Sequence, residues 1–147
     1  HALRTNKQIL ERIDWLRHLA PSGTYPYLLP LLKSFIDDPE GNKAEVCKCL
    51  DVIESFLVRR NFSGLQSAGF QTLFRTIWAD SGNKPNANFL ATSIQSKSGY
   101  DYPNDEIFSN SIKTSNLYNK RDLSRYVLNS SVSTYIDSKT FEYYQKL

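Results

Sequence analysis

Two histidines, two cysteines and a few clustered acids are the side chains in this 147-residue sequence that could make or break bonds. A hydroxyl or thiol nucleophile needs a base beside it, and imidazole is the usual one because it changes charge near neutral pH. His1 stands at the start of the sequence, which leaves His18 alone. Cys47 and Cys49 are one residue apart. On a helix two such positions diverge by about 200°, so they cannot readily grip one ion, and a structural zinc site wants four ligands from spaced pairs. They read as reduced, packed thiols of a cytoplasmic protein. The acidic pairs Asp37-Asp38 and Asp105-Glu106 would serve a metal-dependent nuclease only if carboxylates converged from separate elements. Each lies beside proline or turn residues, where helix stop and start signals explain it. The six glycines are scattered singly, and no Gly-rich phosphate loop, G-x-S-x-G or H-E-x-x-H occurs. The expectation is no catalytic residue, no metal ligand and no cofactor.

Contact chemistry has more material. Arg59 and Arg60 close an apolar helical stripe, and Arg75 follows on the next one. Cations at a helix C-terminus interact favourably with its dipole, by about 0.3–1 kcal/mol each. The same side chains could instead meet phosphate or dock a neighbouring domain, and Arg59, Arg60 and Arg75 are therefore the candidate DNA or interdomain contacts. Net charge argues for neither: residues 1–80 hold 10 basic and 9 acidic side chains, residues 81–147 hold 8 and 6. A duplex binder usually concentrates its bases in a stripe or arm. Of the nine tyrosines, Tyr100, Tyr102, Tyr118, Tyr126, Tyr143 and Tyr144 crowd the later half. They could stack bases, but amphipathic packing with the hydroxyl at a polar partner is the simpler role.

These groups must be positioned by helices, because apolar residues recur at helical spacing along most of the chain. Ile9, Leu10, Ile13, Leu16 and Leu19 form one stripe, with Thr5 and Gln8 as a capping box. Tyr25 to Ile36 is apolar all round and predicts a buried helix that starts at Pro26 or kinks near Pro30. The clearest helix is predicted over about 43–60, from Val46, Cys47, Leu50, Ile53, Phe56 and Leu57. Phe70, Leu73, Phe74, Ile77 and Trp78 give another. Beyond residue 80 there are 12 serines and 8 asparagines, so helices there should be shorter. Phe89, Leu90 and Ile94 mark one. Asn104-Asp105-Glu106 starts the next, with Ile107, Phe108 and Ile112 as its buried side. Leu123, Tyr126, Val127 and Leu128 form another, and Val132–Ile136 could be a short strand. The fold class is all-α: one compact bundle of seven or eight helices spanning 1–147.

Two resemblances enter at this point. Arg12 and His18 form an R-x5-H string similar to that of HEPN-type helical ribonucleases, although solvated residues on the outer face of the first helix explain it as well. More extensive is the stretch Ile53-Glu54-Ser55-Phe56-Leu57-Val58-Arg59-Arg60, which resembles the I-E-S-Y-L-V-R-R of the central helical region in GmrSD-type modification-dependent restriction endonucleases. Tyr25-Pro26-Tyr27-Leu28-Leu29 resembles that family's Y-P-F-L-L, and Phe70 with Leu73-Phe74 resembles the segment after its arginines. Tyr102-Pro103-Asn104-Asp105-Glu106-Ile107-Phe108 is similar to aromatic-P-x-D-E-x-F. Leu117-Tyr118 and Arg125-Tyr126-Val127-Leu128 resemble L-Y and R-Y-I-L. The pieces span about residues 25–128 and come in the family's order.

The resemblance implies a parent protein with an N-terminal NTPase part carrying D-G-Q-Q-R and a C-terminal HNH nuclease part. Neither motif occurs in this sequence. The expectation is therefore a non-catalytic helical connector between such parts in a defence protein, with the flanking domains as its partners. DNA contact through Arg59 and Arg60 is one alternative and oligomerisation another. Methionine is absent, position 1 included, which suggests a segment of a longer protein. No apolar run of 18 residues offers a membrane span, and His1 to Lys7 lack a signal-peptide core, so the expected location is the cytoplasm.

Overall fold

The computed structural model describes residues 6–19, 22–66, 68–97, 99–116, 120–121 and 123–128. The protein is all-α, and no strand occurs among the described residues. The helices are α1 (Lys7–Leu19), α2 (Tyr25–Asp37), α3 (Pro39–Phe62), α4 (Phe70–Asp80), α5 (Ala87–Ser96) and α6 (Asp105–Thr114). A further helical run covers 123–128. The capping box at Thr5 and the strand expected over Val132–Ile136 fall outside the described residues.

The 24-residue α3 is the spine, about 36 Å long at helical rise. It starts at Pro39 rather than at the expected position 43, because Asp38 turns the chain. That residue ends α2, its backbone N–H donating to Ser34 O at 3.2 Å, and begins α3, its carboxylate accepting from Gly41 N at 3.0 Å. Pro39 follows in the first turn, where a missing N–H costs nothing. Any Cβ at residue 41 would collide with the cap carboxylate, which explains a glycine inside a helix. The acids at 37–38 thus form a corner between two helices. In α2 the helix starts at Tyr25 and runs through Pro30; the bond lost there is only the one to the carbonyl of Pro26.

Helices α1, α2, α5 and α6 all pack on α3, and α4 packs on α2. Val46, Cys49, Leu50, Ile53, Phe56 and Leu57 lie buried along α3 at steps of three and four. They belong to one contiguous core that runs from Ile9 to Leu123. At its centre aromatic rings meet edge to face, Tyr27 with Trp78 at 5.2 Å and Phe70 with Phe74 at 6.0 Å between centroids. No described helix is long and apolar enough to cross a membrane.

One expectation about the core is corrected. Helix α6 has no buried residue: Ile107 is 51% and Ile112 47% exposed, while Phe108 turns inward onto Phe62 at 5.8 Å and Ser111 Oγ lies 3.2 Å from Ser63 Oγ. The physical reason is place. This helix lies against the last turn of α3, beyond the core, so a single row of its side chains finds a neighbour. Ile107 and Ile112 are also about 140° apart around the helix, too wide for one narrow contact.

Candidate functional site

With so little core of its own, α6 must be held by something else, and the C-terminal end of α3 supplies it. Arg59 points toward the segment 101–108. Its Nη1 donates to Pro103 O at 2.9 Å, its Nη2 to Asp105 Oδ1 at 2.5 Å, and its Nε to Ser55 Oγ at 3.4 Å. The guanidinium also lies 5.3 Å from the ring centre of Tyr102 and 5.0 Å from that of Phe108. Asp105 is well exposed, so the ion pair itself contributes little. The bond to a carbonyl and the two ring contacts carry most of the fastening.

Arg60, about 100° further round the helix, reaches the start of the same segment. It is 6% exposed, and its Nη1 and Nη2 donate to Asp101 O at 2.7 Å and Gln66 O at 2.6 Å. The guanidinium sits over Phe56 and Phe70 at 5.5 and 5.2 Å. Its Nε–H is buried without an acceptor. Desolvation pulls its pKa below the ordinary arginine value, with Asp101 and Tyr100 acting in the opposite direction. The side chain still has the two carbonyls that a buried cation needs.

Further ties surround the pair. Ser55 Oγ and Tyr102 Oη lie 3.3 Å apart, Tyr126 Oη donates to Glu54 Oε1 at 2.5 Å, and Tyr100 Oη donates to Gly69 O at 3.0 Å. Lys120 Nζ donates to the carbonyls of Asn61 and Phe62 at 3.0 and 3.4 Å, filling acceptors that the end of α3 leaves open. The tyrosines considered for base stacking are thus fold ties at 100, 102 and 126; Tyr118, Tyr143 and Tyr144 lie outside the described residues. A wide, open depression of about 770 Å³ borders the cluster, lined by Arg59, Lys97, Tyr100, Tyr102 and Asp105 among others.

The arginines grouped by sequence separate here. Arg59 and Arg60 give their donors to the chain itself, while Arg75 is exposed on α4. They do not share one basic face. Arg12 is also engaged: Nη1 donates to Cys47 O at 3.1 Å and pairs with Asp51, so it fastens α1 to α3. Cys49 is fully buried 3.6 Å from Tyr27 Oη, and Cys47 is half-buried. Burial pushes the Cys49 thiol up to about 11 and the Tyr27 hydroxyl higher still above its usual value. Among the described residues no three His, Cys, Asp or Glu side chains gather as metal ligands.

Sequence reasoning gave Tyr102 and Tyr126 as packing residues with a polar partner for the hydroxyl, and missed Ser55 and Glu54 as those partners. Ile53–Arg60, Tyr102–Phe108 and Arg125–Leu128 were separate strings, and the fold lays them on one end of α3. No family model, curated protein or solved structure matches this chain.

Proposed function

We propose that this chain is a helical connector module, non-catalytic in itself, that holds a preceding and a following part of a longer protein at a fixed relative angle. The parent would be a defence protein resembling GmrSD-type restriction endonucleases, in which the module couples an NTPase part to an HNH nuclease part. The observation that carries this reading is the arginine latch. Arg59 and Arg60 bind the 101–108 segment by backbone carbonyls and by the rings of Tyr102 and Phe108, and Lys120, Leu123 and Tyr126 return to the same helix, so the later part of the chain is fixed against the end of α3. Three of the strings that carry the family resemblance supply both halves of that latch. DNA contact through the same arginines is less well served, since Arg59 and both terminal nitrogens of Arg60 bond within the chain and Arg60 is buried.

Hydrogen exchange tests the latch directly. In Arg59→Ala the amides of 105–114 should lose protection by at least tenfold while those of 46–57 keep theirs. Unchanged exchange in 105–114 would remove the latch as the coupling element. The non-catalytic half of the reading has its own assay. The chain incubated with Mg-GTP and with modified duplex DNA should release no phosphate and make no nicks. Turnover that survives purification and vanishes on changing one of its own side chains would overturn the connector.

A further inference from the structure

Helix α2 carries a second apolar stripe that the core does not use. Its buried side is Tyr27, Leu28, Leu31 and Phe35. Beside that side, Tyr25, Leu29, Leu32 and Ile36 fall within an arc of about 60° at steps of four, three and four, the spacing of a coiled-coil seam. Three of them are open to solvent: Tyr25 is 46%, Leu29 64% and Ile36 50% exposed. Leu32 is half-buried. Next to Tyr25, a groove of about 290 Å³ between α1 and α2 adds the apolar walls of Leu10, Ile13 and Leu28. Among the described residues the core takes up the other side of α2 and leaves Tyr25, Leu29 and Ile36 exposed.

From these features we infer that α2 is the contact helix of a homodimer, laid antiparallel against α2 of a second copy. The pattern is its own complement. Turned about its midpoint, Tyr25 meets the partner's Ile36 and Leu29 meets the partner's Leu32, so one aromatic and one branched aliphatic fill each end. A two-fold contact demands this kind of self-matching, because the same patch must serve both sides. Ile36 of each copy then enters at the groove beside the other's Tyr25.

The rim supports self-pairing as well. The charges flanking the seam are already neutralised within the chain, Lys33 with Asp37 at 2.6 Å and Arg17 with Asp14 at 2.9 Å. Two identical rims therefore meet without net repulsion, whereas a strongly charged partner would find nothing to complement. One face of a 13-residue helix, about 20 Å long, with a flank from α1 is smaller than the roughly 800 Å² per partner of a standard interface. The dimer is accordingly concentration-dependent. This inference is independent of the connector reading, and either can fail alone.

Sedimentation velocity and light scattering decide it. The mass should rise from 16.9 kDa toward twice that as the chain goes from low to high hundreds of micromolar. Leu29→Glu should weaken association at least tenfold with unchanged helical circular dichroism, since that side chain is exposed. Tyr25→Lys and Ile36→Glu should each do likewise. The double variant Tyr25→Lys/Ile36→Glu should regain association, because only the antiparallel alignment sets opposite charges face to face. A monomer at every concentration, a dimer indifferent to Leu29→Glu, or a double variant no better than its parents would each overturn the inference.

Discussion

Replacing Arg60 by alanine is the sharpest test of the latch, because three arginines alike in sequence have unlike surroundings. Arg60→Ala removes two hydrogen bonds to backbone carbonyls and two ring contacts, and leaves a gap beside Phe56 and Phe70. Bonds to a charged donor contribute about 1.5–3 kcal/mol each before the cost of burying the charge is subtracted. Here that cost is real, since desolvation disfavours the charged form. A net loss of about 3 kcal/mol follows, with the ring contacts contributing about 1 kcal/mol of it. For a domain of this size that lowers Tm by about 6–12 °C. Arg60→Met keeps the stem over the rings, should lose less than the alanine variant, and so separates packing from bonding. Arg75→Ala, at an exposed site, should change stability by less than about 0.5 kcal/mol. Urea melts followed by the fluorescence of Trp15 and Trp78 would measure all three. If Arg60→Ala cost no more than the exposed Arg75→Ala, under about 0.5 kcal/mol, the latch would be decoration rather than a fastening.

Other consequences can be checked with the same equipment. Asp38→Ala removes the carboxylate that caps α3 and should destabilise the chain by about 1 kcal/mol, with Asp38→Asn recovering most of it. Leu57→Ala empties a fully buried position and should cost about 2–5 kcal/mol in the same melts. The folded state holds the Cys49 and Tyr27 protons more tightly than the unfolded state. Stability from these groups is therefore complete below about pH 9 and falls as pH rises through 9 to 11, because the unfolded chain ionises first. Urea midpoints that stay flat over that range would contradict the buried pair. In the native protein at neutral pH an alkylating reagent should label the half-buried Cys47 well before Cys49. Equal rates, read by mass spectrometry, would argue against the placement of Cys49.

Helix existence was legible in the sequence because it is a local property. Val46, Leu50, Ile53 and Leu57 repeat at the period of one helix face, and Asn104 before Asp105-Glu106 is a start signal. Both hold in the structure, where Asn104 Oδ1 accepts from Ile107 N at 2.9 Å. Boundaries were less legible. Asp38-Pro39 reads as a stop, and only the turn geometry shows that the same residues also open α3. The buried face of α6 was misjudged because amphipathic spacing says that a helix has an apolar side, not that a neighbour covers it.

The candidate site shows the division most plainly. Sequence alone determined an all-α chain with two arginines at the end of its longest stripe, since that needs only periodicity and residue type. It could not say where their guanidinium groups point. Arg59 and Arg60 meet Pro103 O and Asp101 O more than forty residues away, and backbone carbonyls carry no sequence signature. Whether a cation faces solvent, phosphate or its own chain depends on which loop the packing of α3 brings alongside. Tertiary structure decides that, because acceptors distant in sequence become neighbours only when the core between them has formed.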